Sequence, residues 1–385
     1  MDQEEEQARL HRWLARAPEE EVLEPSLPIV DPVRRLSPCT SLSRPPILSS
    51  VSLSHLSSLC VCVSTPAAPS QCGAREQHHH LWDLRDRDGG GGFAQKLYLT
   101  QEIVAELRES GHDVRQTIFM QCNAFHRANG PEELRPVGET EFAHGVAAMS
   151  ASGAYGSTRI CAGIVSTVDL GLGASRVRAA LAAHMRASPN FRGIRAPLPP
   201  AEGLTANFDA AFAELGHLGL VYEQYAHDWE ANLPVLVQLA ERHPAVRIVI
   251  NHLGGKLDWD EMPPGSAAFG RWRECLVAAA ACPNIVMKCG GLTPPSRMPI
   301  HMSRRAQQAP VSSAELARLW LPYHEAAIRA FGPKRCMFES VSRATWPQNP
   351  TPSPAPPHPE LPWRGLAGLA SATHTRSWCP FGGGG

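Results

Sequence analysis

The sequence lacks an excess of charge of either sign. Its 385 residues include 36 Lys+Arg against 37 Asp+Glu, which gives a formal net charge of -1, and only 19% of them are charged. A protein that binds nucleic acid through its overall charge shows a basic excess, which is missing here. We therefore expect no nucleic-acid partner.

Long apolar runs and a secretion signal are also missing. The stretch 47–63 is moderately apolar, but Ser and His interrupt it, and a membrane span needs about 20 apolar residues. The start of the sequence, MDQEEEQARLHRW, is acidic and polar, without the basic and apolar regions of a signal peptide. These features predict a cytoplasmic protein with no membrane partner.

The six cysteines of the apolar part of the chain show no spacing typical of a metal ribbon or a disulfide scaffold. Cys282 and Cys289, for example, lack the CxxC separation of a zinc ribbon. We expect the cysteines of the apolar part of the chain to be reduced thiols. They are Cys122, Cys161, Cys275, Cys282, Cys289 and Cys336.

Two segments differ in composition from the rest of the chain. Segment 33–77 is rich in serine and holds no helical or strand period, and segment 341–385 is rich in proline and ends in FGGGG. Neither can bury enough apolar side chains to offset the entropy of ordering, so both are predicted to be disordered.

The ends of these segments suggest an origin for them. Both begin with valine, Val33 and Val341, whose codons all start with GT, and the first ends at Gln77, which CAG can encode. Those letters are expected at the two ends of an intron. Our hypothesis is that 33–77 is a retained intron and 341–385 is read-through into another. A genuine disordered insert and tail is the alternative, and sequencing the mature transcript distinguishes the two.

The remaining chain, 1–32 and 78–340, alternates short β-branched runs with amphipathic stretches. The predicted strands are 28–31 joined to 78–81, 116–122, 159–165, 191–195, 220–225, 247–252, 284–289 and 335–339. The predicted helices include 139–150, 175–186, 207–215, 234–242, 267–281 and 313–331. Eight strands alternating with helices predict an α/β fold of the (β/α)8 TIM-barrel type, incomplete at its C-terminus. No GxGxxG motif follows the first strand, which argues against a dinucleotide-binding fold.

Histidines mark the ends of two predicted strands. In His78-His79-His80 the first and third residues share one face of a strand, so both can point into the mouth of a barrel. Two neutral imidazoles placed in this way suit a divalent metal or a polarised carbonyl, although a surface histidine tract is the alternative. His252 follows the apolar run IVI at a strand end, which in a barrel is the active face. The pairing of the two motifs favours a site over a loop-capping histidine.

Two arginines and a further histidine are weaker candidates. Arg192 and Arg195 in FRGIR are both candidate substrate-binding residues, and on a straight strand they face opposite ways. Arg195 is nearer the strand end, so we favour it to hold a substrate carboxylate or lactone oxygen with its planar guanidinium. His227 follows LVYEQY at another strand end, where an ordinary loop histidine is nearly as good an interpretation.

In these motifs the sequence resembles the amidohydrolase-related family, and within it the lactonase-like branch of TIM-barrel hydrolases. The resemblance runs from Ile29 to Ser340 and is strongest in PVGETEF, FRGIR, INHLGG and FGPKRCMFES. Relatives open with Asp-x-His-x-His on the first strand. Here Asp31 would supply the first-strand acid only if 33–77 were removed, which supports the intron hypothesis.

The resemblance implies hydrolysis of a lactone or related cyclic ester by an activated water. Its implied catalytic residues are His78, His80 and His252, with His227 a weaker match, and its implied metal ligands are His78 and His80. Some relatives bind zinc or another divalent ion and others use no metal, and the sequence leaves both open. It also leaves the oligomeric state open.

Two departures from the family pattern predict impaired activity. Relatives follow MFES with a stretch that ends in Pro-Val-Asp, and this eighth-strand Asp is absent after Ser340. Gln121 also stands where relatives carry an acidic residue. A non-catalytic barrel and a decarboxylase of the same superfamily are the alternatives to a lactonase-type hydrolase.

Overall fold

Eight parallel strands form the central sheet of the protein, in the order β1-β4-β5-β6-β7-β8-β9-β10. The computed structural model describes residues 74–85, 97–109, 114–224, 228–255, 257, 262–290 and 313–339. The sheet strands are β1 (Ala74–His79), β4 (Val114–Met120), β5 (Arg159–Ser166), β6 (Phe191–Ala196), β7 (Val221–Gln224), β8 (Arg247–Ile250), β9 (Ile285–Cys289) and β10 (Cys336–Phe338). Side chains of the first strand and of the residue after the last one meet, which curls the sheet into the TIM-barrel form that the sequence predicts.

Seven helices lie along these strands in the described part of the chain. They are α1 (Thr100–Glu109), α2 (Val137–Ala151), α3 (Ala174–Ala187), α4 (Ala206–His217), α5 (Trp229–Arg242), α6 (Ala267–Ala281) and α7 (Ser313–Phe331). Side-chain oxygens of Thr205, Asp228 and Ser266 accept backbone N–H groups at the first turns of α4, α5 and α6. No helix among the described residues is long and apolar enough to cross a membrane.

Most predicted elements are found within one or two residues of their predicted bounds, and three differences stand out. Helix α5 begins at Trp229 rather than at 234, because Asp228 caps it. A small hairpin of β2 (Trp82–Asp83) and β3 (Leu97–Tyr98), followed by α1, was not predicted. The first strand starts at Ala74, inside the segment 33–77 that we assign to an insert.

The earlier start of the first strand shows which residues pair with β4, and it does not test the intron hypothesis for segment 33–77. Ala74 pairs with Val114 and Glu76 with Thr117, so the residues that precede His78 occupy the place predicted for 28–31. The residues 1–73 and 340–385 lie outside the described part, so the assignment of 33–77 and 341–385 to introns stays a prediction.

Alternate residues on the last four strands face the barrel interior. Val221, Val249, Val286 and Met337 form one apolar cluster there. Two positions further along, on β7, on β9 and just after β10, the same alternation brings the charged side chains of Glu223, Lys288 and Glu339 together. The outer faces pack against the helices in the largest apolar cluster, which includes Tyr222, Trp272 and Tyr323. An apolar layer therefore supports a charged layer at the C-terminal ends of the strands.

Candidate active site

The three consecutive histidines of the first strand serve two different sides of the sheet. His78 and His80 approach each other, with their Nε2 atoms 3.1 Å apart. His79 lies on the other side, where its Nε2 is 2.9 Å from Thr117 Oγ1 and its ring contacts Phe119. Because side chains alternate along a strand, two histidines reach the barrel mouth and one fills the layer behind it.

Glu339, the residue after β10, joins two of the predicted histidines. Its Oε2 is 3.0 Å from His78 Nδ1, and its Oε1 is 2.6 Å from His252 Nδ1. The backbone N–H of His252 also donates to Oε1, at 3.0 Å. The carboxylate is fully buried, whereas the His252 side chain is 21% exposed. Glu339 therefore orients His252 from below and leaves its other ring nitrogen toward the mouth of the barrel.

The backbone turn after β8 brings His252 to this position. His252 and Leu253 adopt positive φ angles of 52° and 56°, a region that side chains with a Cβ occupy at a cost. Gly254 and Gly255 follow with φ of 101° and 143°. This turn allows both the ring and the backbone N–H of His252 to face the same carboxylate oxygen.

Arg195 adds a fixed cation to the cluster. Its NH1 lies 3.3 Å from His78 Nε2, and its NH2 donates to the carbonyl of Gln121. The residue is only 7% exposed. A guanidinium can only donate, so His78 Nε2 accepts its hydrogen bond and His78 carries its proton on Nδ1, toward Glu339.

The same reasoning fixes the proton of His80. Its Nδ1 lies 2.8 Å from the carbonyl oxygen of Met120, which can only accept, so Nδ1 carries the hydrogen. The Nε2 lone pairs of neutral His78 and His80 then face each other. A proton or a metal ion between the two nitrogens would stabilise this arrangement.

Burial sets the ionisation of the histidines. It lowers the pKa of His78 well below the ordinary value, and the ammonium of Lys288 adds to this while Glu339 opposes it. Burial also lowers the pKa of His80, with a further contribution from Arg195. Both imidazoles are therefore neutral near pH 7 and able to act as ligands or hydrogen-bond acceptors.

The carboxylate of Glu339 is ionised in spite of its burial. Burial alone would raise its pKa, but the interactions with His252 and the hydrogen bond from His78 outweigh this and hold the pKa well below the usual range. The cluster therefore combines one carboxylate, three imidazoles and one guanidinium.

The donor set fits a divalent metal ion. Ligand atoms of His78, His252 and Glu339 all lie within 4.8 Å of one another. Two Zn–N bonds of about 2.1 Å at a tetrahedral angle separate the nitrogens by about 3.4 Å, close to the 3.1 Å between the Nε2 atoms of His78 and His80. Imidazole and carboxylate ligands together are typical of zinc.

The structure brings together four of the candidate residues and places a fifth elsewhere. His78, His80, His252 and Arg195 converge, whereas the NH1 of Arg192 donates to the carbonyls of Pro189 and Phe191. The register of β6 against β5 shifts by one residue between Phe191 and Gly193, so Arg192 lies in an irregular part of the strand. Asp31 and His227 lie outside the described residues, and their predicted roles stay predictions.

Three charged residues in and beside the cluster were missed from the sequence. Glu339 was noted only as part of the MFES motif, and Glu223 and Lys288 were not singled out. The available signal was charge within an apolar strand, in VYEQ and IVMKC, because a charged side chain there is buried and needs a partner.

Comparison with known protein families identifies the family of this chain. The sequence profile described as amidohydrolase matches residues 77–340. The chain belongs to the amidohydrolase family. The match runs from the residue before His78 to the residue after Glu339, so it includes all of the barrel except the first three residues of β1.

Individual relatives of this amidohydrolase are distant. An uncharacterised protein, y4mH, of Sinorhizobium fredii is 28% identical over 290 residues, covering 69% of this chain and 83% of that protein. An L-fucono-1,5-lactonase of Burkholderia multivorans is 31% identical over 160 residues, covering 41% of this chain and 49% of the lactonase.

Solved structures share the fold. An amidohydrolase from Burkholderia multivorans crystallised with HEPES superposes with a TM-score of 0.53 at 24% identity, covering 78% of this chain and 92% of that one. A second crystal form of it, with bound zinc, gives a TM-score of 0.51 at 23% identity and the same coverage. These likenesses show the TIM-barrel fold of the chain.

Proposed function

We propose that this amidohydrolase hydrolyses a sugar lactone or a related cyclic ester. The contact between Glu339 and His252 carries the proposal, because a buried carboxylate 2.6 Å from Nδ1 prepares the opposite nitrogen of His252 to take a proton from water. The partial similarity to an L-fucono-1,5-lactonase supports a lactone as the substrate class.

The proposed chemistry divides between two sides of the mouth. His252 Nε2 removes a proton from a water molecule, which attacks the lactone carbonyl, and Glu339 stabilises the imidazolium that results. Arg195 donates to the carbonyl oxygen, where negative charge develops in the tetrahedral intermediate. The proton on His252 then passes to the ring oxygen as the ester C–O bond breaks.

We propose His78 and His80 as the residues that would hold a divalent ion through their Nε2 atoms, with the ion replacing the hydrogen bond that Arg195 NH1 donates to His78 Nε2 in this structure. A bound ion would supply Lewis-acid polarisation of the carbonyl oxygen. The zinc in the related Burkholderia multivorans structure supports zinc as the first ion to test. Without an ion, His78 and His80 are neutral side chains whose Nε2 atoms accept hydrogen bonds.

The direct test is a substrate panel. We expect the purified protein to open one or more aldonolactones, and the Glu339→Gln variant to lose this activity. Pyrone carboxylates and aromatic carboxylates belong in the same panel, each with and without zinc. Release of carbon dioxide from an aromatic carboxylate without any lactone opening would instead show a decarboxylase.

We also propose that the chain as written works slowly. The eighth-strand Asp expected after Ser340 is absent from the sequence, and loss of a positioned acid–base group costs about 10²- to 10⁴-fold in rate. Lactone opening at thousands of turnovers per second would contradict this.

Mature transcripts that contain codons 33–77 throughout would contradict the intron hypothesis.

A further inference from the structure

A second charged pair lies beside the Glu339 carboxylate, inside the barrel. Lys288 Nζ is 2.7 Å from Glu223 Oε1, 3.5 Å from His78 Nδ1 and 4.0 Å from Glu339 Oε2. The side chains of Lys288 and the two glutamates are at most 3% exposed, so water screens these interactions weakly. One ammonium is thus shared unequally between two buried carboxylates.

The unequal distances matter because Glu339 already has other partners. Its two oxygens accept hydrogen bonds from His78, from the ring of His252 and from the backbone N–H of His252. A movement of the ammonium by about 1 Å toward Oε2 would form a direct ion pair, because such pairs close at about 2.8 Å. That ion pair would compete with His252 for the negative charge.

Glu223 is the group that opposes this movement. It lies on β7 and reaches Lys288 on β9 across the intervening strand β8, at the level of Val249. Attraction between opposite charges grows as their distance falls, so the contact at 2.7 Å holds the ammonium on the Glu223 side. Within the part of the chain that the structure describes, the Glu223 carboxylate accepts a hydrogen bond from Lys288.

We propose that Glu223 is a positioning residue that holds Lys288 away from Glu339, so that the Glu339 carboxylate stays available to His252. Glu223 contacts neither water nor carbonyl in the proposed reaction and acts only through Lys288. The inference deepens the lactonase proposal and rests on it for its kinetic measurements, while the arrangement itself can be tested without a substrate.

A simple structural brace between β7 and β9 is the competing role for the pair, and it predicts a different response. If the pair only joins the two strands, the double variant still lacks this link and should be no closer to the parent protein than the single variant is. If Glu223 restrains Lys288, removing the lysine as well should restore the contact between Glu339 and His252 that the loss of Glu223 weakens.

The experiment compares the Glu223→Gln variant with the Glu223→Gln/Lys288→Met double variant. Glu230→Gln, on the surface of α5, is the matched control, because the Glu230 side chain is 59% exposed. The first readout is the proton NMR signal of His252 Nδ1–H, assigned with the His252→Gln variant. A strong hydrogen bond to a carboxylate moves this signal downfield. We expect the signal to move upfield in the single variant and to return downfield in the double variant.

The second readout is kinetic. We expect kcat of the single variant to fall about 10-fold or more with KM nearly unchanged, because the loss affects proton transfer and not substrate binding. The double variant should regain most of kcat, and Glu230→Gln should match the parent protein.

Two results would overturn the inference. One is an unchanged chemical shift of the His252 signal in folded Glu223→Gln, and the other is a double variant whose signal lies as far upfield as that of the single variant. The double variant decides even where the single variant does not fold, because it leaves no unpaired charge inside the barrel. Absence of any lactone turnover in the parent protein would count against the proposed function alone, since the NMR comparison needs no substrate.

Discussion

Glu339 is the residue on which the mouth of the barrel depends. It holds two histidines from distant strands, and its carboxylate is buried and ionised. Its role could not be predicted from the sequence, because the direction of a side chain at the end of a three-residue strand depends on register. Pairing of Phe338 with Cys289 sets that register and turns Glu339 inward.

The substitution Glu339→Gln tests this role directly. It keeps the shape of the side chain but removes the charge that stabilises protonated His252, so we expect kcat to fall about 10²- to 10⁴-fold. Lactone-opening assays at saturating substrate measure the effect. Glu325→Gln, on the exposed side of α7, is the matched control, and equal activity of the two variants would contradict the assigned role.

The two arginines of β6 offer a second comparison. Arg195→Lys loses the planar group that contacts both His78 and the Gln121 carbonyl, so we expect kcat/KM to fall about 10- to 100-fold. Arg192→Lys changes a side chain that donates to the carbonyls of Pro189 and Phe191, and it should retain activity. A greater loss in Arg192→Lys would reverse the assignment of the two residues.

At the scale of elements, the close approach of β9 and β10 positions the carboxylate. A Cβ on Gly290, which follows β9, would lie 2.2 Å from the carbonyl oxygen of Glu339 and 2.5 Å from its Cγ. Real Cβ atoms do not approach other atoms so closely, so only glycine allows Glu339 to take its place. The sequence shows a glycine pair here but not which residue it must accommodate.

Gly290→Ala should therefore push Glu339 out of position. We expect a loss of about 1–3 kcal/mol in the free energy of unfolding, together with lower lactone-opening activity. Gly270→Ala is the matched control, because a Cβ on Gly270 in α6 meets nothing within 4 Å, and this change should be neutral or stabilising. Urea unfolding of both variants measures the difference, and equal midpoints would show that the contact at Gly290 relaxes without cost.

Most elements follow from local pattern, and the exceptions show where pattern is insufficient. Strands such as Arg159–Ser166 and helices such as Ala267–Ala281 are marked by apolar period and capping residues. The hairpin of Trp82–Asp83 with Leu97–Tyr98 has two residues in each strand, too few to show a period. The hairpin forms because Trp82 and Tyr98 are buried against each other, which is a tertiary effect.

At the scale of the whole molecule, three buried histidines outside the mouth make stability depend on pH. Burial lowers the pKa of His79 from 6.5 to about 3, and those of His184 and His324 from 6.5 to about 4. Below pH 6.5 the unfolded chain binds protons at these positions and the folded protein does not. Their contribution to stability is complete above pH 6.5 and is lost as the pH falls toward 4.

We therefore expect the free energy of unfolding to fall by up to about 1.4 kcal/mol per pH unit for each of these histidines below pH 6.5. Urea unfolding at several pH values between 7 and 4 measures this slope. His324→Gln removes one of the three groups and should make the slope shallower. A slope that is the same in His324→Gln and in the parent protein would show that His324 takes up its proton without unfolding.

The position of Glu339 in the chain also matters during synthesis. His78 leaves the ribosome first, and its partner Glu339 is made 261 residues later. Strands β1 to β9 can associate before that point, but their histidines have no carboxylate to orient them. Only a chain translated past β10 can orient both histidines, so a prematurely terminated product would carry every histidine of the site without the carboxylate that they share.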